Sequence, residues 1–107
     1  MVGESYYQRA LEAICGGRTA TGEDRVVQAV LRLEDHPHDR YAVAVVIAGR
    51  KVGHLSRADA KAFRLRVAGE GRVGPEFPCA ANIRGGWDRG YRDRGQYGVR
   101  LDVCLYR

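Results

Sequence analysis

The stretch from Tyr41 to Ala60, YAVAVVIAGRKVGHLSRADA, constrains the fold of this chain more than any other. Two apolar runs flank Ala48-Gly49-Arg50, an interval with room only for a tight turn, so the segment reads as a β-hairpin. Ser56 then precedes Asp59 by one helical turn, the pattern of an N-cap with an acid in the first turn. RADAKAFRLRV continues as a short helix that buries Ala60 and Phe63. A strand pair running straight into a helix excludes a helical bundle.

The remaining segments extend that frame. In SYYQRALEAICGG, Tyr7, Ala10, Leu11 and Ile14 share one helical face, with Ser5 expected as N-cap and Gly16-Gly17 as the stop. Residues 18–25 are polar and turn-like. Val26 to Leu33, VVQAVLRL, is aliphatic and β-branched and reads as a strand, ended by EDHPHDR with its proline. After a glycine-broken stretch, CAANIR is a further strand, and in YGVRLDVCLY apolar and polar positions alternate over Val99, Leu101, Val103 and Leu105. Between these two runs GGWDRGYRDRGQ is too polar and glycine-rich to pack, which predicts an exposed hairpin loop. Together these give a mainly β, α+β chain: one domain over residues 1–107, a small OB-like or SH3-like barrel of five to six strands with two short helices.

At 107 residues there is room for one core. No apolar run reaches the roughly 20 residues that span a bilayer, and the start lacks the layout of a secretory signal. The three cysteines, Cys15, Cys79 and Cys104, are far apart and odd in number, which argues against a disulfide framework and fits a reducing cytoplasm. The expected location is therefore cytoplasmic, or nucleoid-associated if the source is bacterial. Net charge is +5 and nearly all of the cationic residues are arginine, whose planar fork matches phosphate geometry.

Signatures of catalysis are missing. There is no P-loop, no Gly-x-Ser-x-Gly elbow and no serine or cysteine tied by spacing to a histidine. No catalytic residue, cofactor or resident metal is therefore assigned. His36 and His38 have a spacing seen in zinc sites, but no nearby cysteine or second acid completes a ligand set. Asp39 has two readings, an acceptor for a ligand hydroxyl or a brace of its own turn. His54 and Arg57 flank a helix start, where free amides favour an anion, or they are solvated boundary residues. Tyr6 and Tyr7 point in different directions, leaving one for the surface, where a ring can stack on a base. Arg84, Arg89, Arg92 and Arg94 alternate with Trp87, Tyr91 and Tyr97 on a glycine frame, a composition suited to single strands or to a solvated hairpin.

The order of these pieces resembles the HIRAN domain family. Gly3 with Tyr6-Tyr7, then Pro37, Asp39 and Ala42-Val43, then Val52-Gly53-His54-Leu55 follow that family's pattern in order and spacing over roughly residues 2 to 65. The chain departs from it at His36, His38 and Tyr41, where the family carries asparagine, tyrosine and asparagine, and no helicase motif accompanies it. The resemblance implies an OB-like barrel that binds DNA, in some members the 3′ end of a single strand, with a helicase or nuclease as a possible protein partner in repair or fork processing and no membrane role. Carried over by position, Tyr6 and Tyr7 line the pocket, Asp39 accepts from the terminal 3′ hydroxyl, and His54 and Arg57 hold the adjacent phosphate. His36, His38 and Tyr41 belong to the same pocket wall, with Arg84 and Trp87 added as later-strand candidates. Two other readings stand beside this one: a protein-interaction module that recruits a repair enzyme, and a metal-dependent phosphodiesterase using His36, His38 and Asp39.

Overall fold

The hairpin at Ala48-Gly49 organises the sheet. In the computed structural model, which describes residues 1–34, 42–71, 74 and 76–102, Val43–Ile47 (β2) and Arg50–His54 (β3) pair antiparallel across it. Ala48 and Gly49 have φ of 51° and 76°, so both central residues are left-handed, as the twist of a two-residue hairpin requires. A register shift between Val45 and Val46 leaves Val52 as an extra residue in β3, and such a bulge sharpens the local twist.

Glu23–Leu33 (β1), an eleven-residue strand, pairs with β2 on one side and with Glu76–Gly85 (β4) on the other, and Tyr97–Asp102 (β5) completes the order β3-β2-β1-β4-β5. All pairings are antiparallel, and the five strands curl into a half-barrel carrying two helices. The strands at 26–33 and 79–84 are thus both longer than their apolar cores indicate, because polar ends such as Glu23 and Asp24 still pair with β4. Leu101 of the alternating C-terminal run is partly buried and Val99 buried; Val103 and Leu105 lie outside the described residues.

The concave side is the core. Ala29, Leu31, Val43, Val45, Ile47, Val52, Ile83 and Tyr97 line it, and Leu11 and Cys15 of Gln8–Cys15 (α1) close one side. Arg57–Gly69 (α2) begins at Ser56, whose Oγ accepts from the Asp59 amide at 3.2 Å, and it inserts Ala60, Phe63 and Val67. Phe63 meets Phe77 of β4 edge to face, with centroids 5.4 Å apart.

The gap between the two edge strands, β3 and β5, is spanned by the N-terminus. Val2 and His54 exchange backbone hydrogen bonds of 2.7 and 3.0 Å at the β3 edge. A 3₁₀ turn follows at Glu4–Tyr6, then α1, and here side chains do what a sixth strand would do. Gln8 Nε2 donates to the Tyr97 carbonyl at 2.9 Å while Gln8 Oε1 accepts from the Tyr97 amide at 2.7 Å, and Glu4 Oε2 accepts from the Val99 amide at 3.3 Å. Ser5 is not the cap of α1: it lies inside the 3₁₀ turn, and Tyr7 occupies the cap position with no side-chain bond. Gly16, at φ 80°, ends α1 as the glycine pair indicates.

No helix among the described residues is long and apolar enough to cross a membrane. Cys15 and Cys79 are free thiols, and burial pushes both above the ordinary thiol pKa, which leaves them poor nucleophiles.

Candidate nucleic-acid interface

The corner formed by Gly53 and His54 is built around a missing side chain. A Cβ on Gly53 would stand 2.7 Å from the Val2 carbonyl oxygen and 2.7 Å from the Met1 methyl. Only glycine lets the N-terminal segment lie against the end of β3. That contact delivers the next turn, Glu4–Tyr6, onto the same corner, with Tyr6 at 87 % exposure and Tyr7 half-buried. Of the adjacent tyrosines, Tyr6 is the one presented to solvent.

His54 has a side-chain partner beside this turn. Its Nε2 lies 3.0 Å from Glu34 Oε1, and Lys51 Nζ lies 2.7 Å from Glu34 Oε2. Partial burial acts to raise the Glu34 carboxyl pKa, but the hydrogen bonds from Lys51 and His54 outweigh it and hold the group below the usual carboxylate range. The Glu34 carboxylate therefore occupies the Nε2 edge of the ring, where the expectation has a phosphate. Nothing in the sequence marks Glu34 beforehand except its place at the end of an apolar run.

Glu34 also frames the segment that carries four of the expected site residues. Its amide donates to the Ala42 carbonyl at 2.9 Å, and Arg64 Nη2 donates to the carbonyls of both Glu34 and Ala42, at 2.7 and 2.8 Å. The chain therefore leaves the sheet at Glu34 and returns at Ala42 across one guanidinium clamp, directly beside His54. His36, His38, Asp39 and Tyr41 lie between these points, outside the described residues. Arg57 is exposed as the first residue of α2, whose N-terminus follows the same corner by two residues.

Arg84 and Trp87 belong elsewhere. Arg84 pairs in register with Asp24 at the start of β1, and its Nε lies 3.9 Å from that carboxylate. Glu34 follows the opposite end of β1, about 30 Å away along a strand of this length. Trp87 bridges to Thr19, and its ring is held inside its own hairpin, with Nε1 donating to Asp93 Oδ1 at 3.1 Å and the Arg89 guanidinium 5.8 Å from the ring centroid. The Trp87 ring is thus engaged within its own hairpin, and Arg84 stands at the end of β1 away from Glu34.

The hairpin is exposed from Asp88 to Arg94, as its composition indicates, while its base is packed. A Cβ on Gly95 would meet the Trp87 ring at 2.3 Å, so this glycine is the seat of the indole. Gly95 N–H donates to the Trp87 carbonyl at 3.0 Å, and Arg18 Nη1 ties the Gly95 carbonyl to the α1 side at 2.7 Å while stacking 5.1 Å over Tyr97. Arg94 pairs with Asp88 at 3.2 Å, and Asp88 also accepts from the Gly90 amide. A shallow, largely apolar groove of about 490 Å³ runs over the outer face of β1 and β4, lined by Val26, Gln28, Pro78 and Ala80. No group of three metal-ligating side chains occurs among the described residues. Comparisons of the chain with protein-family models, curated proteins and solved structures return no match.

Proposed function

We propose that this chain is a HIRAN-like nucleic-acid-binding module that takes the 3′ end of a single DNA strand at the corner between the N-terminal turn and residues 53–57. The observation that carries this reading is the Val2–His54 pairing, which brings the turn that carries the exposed Tyr6 against the end of β3, shortly before α2 begins in the chain. In this proposal a ring, a helix N-terminus headed by Arg57 and the neck at Glu34 and Ala42 serve one ligand. The net charge of +5 favours a polyanion there.

In this reading the terminal base stacks on Tyr6, Arg57 and the first amides of α2 hold the last phosphate, and Asp39 accepts from the terminal hydroxyl. Glu34, Lys51 and His54 fix the corner rather than touch the strand. Stacking and phosphate contacts tolerate any sequence, so specificity is for the end and not for the bases.

Fluorescence anisotropy with short single strands differing only at the 3′ end tests the reading. A strand ending in hydroxyl should bind more tightly than one ending in phosphate, which Asp39 repels. Equal affinities remove Asp39 from its role. Arg57→Ala should weaken binding and reduce the slope of log K against log salt by about 1. Absence of binding to any single strand at low salt sinks the proposal and leaves the apolar groove on β1 and β4, a surface for a protein partner, as the better lead.

A further inference from the structure

The tip of the 87–95 hairpin holds two of the three non-glycine residues with positive φ among the described residues, one of them a fully exposed tyrosine. Tyr91 and Arg92 have φ of 49° and 67°, and the Asp93 amide donates to the Gly90 carbonyl at 2.8 Å, closing a two-residue turn with both central residues left-handed. Such a turn favours Asn-Gly, and a bulky residue there is held in place only when its surroundings dictate the backbone. The surroundings do so here: the Trp87–Gly95 stack, the Trp87–Asp93 bond, the Arg89 amide on the Asp93 carbonyl and the Arg94–Asp88 pair all brace the two arms.

What this scaffold presents is a tyrosine at 104 % exposure, packed on nothing, with an exposed arginine next to it. The two aspartates of the hairpin are turned to internal partners, Asp93 to Trp87 and Arg89, and Asp88 to Arg94 and the Gly90 amide. Arg92 has no such partner among the described residues. An aromatic face and a guanidinium, side by side on a braced backbone, form the unit that binds one base and its phosphate without regard to sequence.

We infer that Tyr91 and Arg92 form a second single-strand contact, separate from the end-binding corner, in which Tyr91 stacks on an internal base and Arg92 meets the adjoining phosphate. This rests on the reading of the chain as a single-strand binder, and it adds a site that ignores end chemistry. The hairpin adjoins the β5 end that Gln8 holds, and one strand engages both contacts only if it is long enough to run between them.

The test is anisotropy with fluorescein-labelled oligothymidylate of about 15 nucleotides. Tyr91→Ala should weaken binding about tenfold and Tyr91→Trp should restore it, as stacking on one base requires. The effect should be equal for strands ending in hydroxyl and in phosphate. The double variant Tyr91→Asn with Arg92→Gly should melt at a higher temperature than the parent yet bind less, which separates lost contact from lost fold. If the parent binds and Tyr91→Ala binds equally well, the second contact is overturned while the end-binding reading stands. A parent with no affinity for the oligonucleotide overturns both.

Discussion

Two hairpins in this protein turn on two residues of the same left-handed backbone, and they do so for opposite reasons. At Ala48-Gly49 the turn is written locally: a glycine occupies the second position, and the hairpin joins the fully buried β2 to the edge strand β3. At Tyr91-Arg92 neither residue favours the conformation, and a lattice of side chains from Trp87 to Gly95 imposes it. Left-handed backbone costs an ordinary residue about 1–2 kcal/mol. The first hairpin keeps that cost low and builds the barrel. The second accepts it at two positions and in return holds a ring and a cation out in water, where a structural residue has no reason to be.

Breaking the brace should have the largest effect. Gly95→Ala puts a methyl group into the Trp87 ring and should destabilise the protein by about 2 kcal/mol, read from chemical denaturation, with the 87–95 amides losing exchange protection first. Gly53→Ala belongs in the same range, because its Cβ drives into the Val2 carbonyl. Its mark should be different, a release of residues 1–8 from β3 and β5. If Gly53→Ala leaves amide exchange at Val2, Tyr97 and Val99 unchanged, the closure of the barrel by the N-terminus is wrong.

Relaxing the turns should have smaller effects of opposite sign. Tyr91→Asn with Arg92→Gly should gain about 1–2 kcal/mol, and Ala48→Asn about 0.5–1 kcal/mol. Only the first pair should alter affinity for a single strand. Equal loss of binding from Ala48→Asn would show that the tip is not the special element.

The smallest effect concerns acid. The folded-state pKa of Glu34 is lowered, so its bonds to Lys51 and His54 add stability above the ordinary glutamate range and lose it as pH falls through the lowered value. Glu34→Gln should therefore be less stable near neutral pH and show a shallower decline between about pH 6 and pH 3. An unchanged acid limb would mean that the tether contributes nothing to folding.

Much of the frame was legible from the residues. Ala48-Gly49 between two apolar runs, the Ser56–Asp59 cap and the alternation through Val99 and Leu101 each rest on neighbours in sequence, and the structure has all three. What escaped reading depends on distant partners. Gln8 holds Tyr97 across almost the whole chain, and Glu34 becomes a ligand for His54 only once β3 folds back beside it. The polar composition of the 87–95 loop hid the packing at its base because its anchor, Gly95 beneath Trp87, is a close approach and not a pattern. Of the expected site, Tyr6 is exposed on the turn beside β3, Arg57 opens α2, His54 is bonded to Glu34, and Arg84 pairs with Asp24 at the start of β1.

The comparison between corner and hairpin can be decided by where a strand touches. Oligothymidylate carrying a photoreactive 5-iodouracil either at the 3′ end or at an internal position is irradiated on the protein, and the adducts are mapped by mass spectrometry. The account predicts end-labelled adducts on the peptide containing Tyr6 and internally labelled adducts on the peptide containing Tyr91. A bound strand that crosslinks to neither, or labels the outer face of β1 and β4 instead, contradicts it.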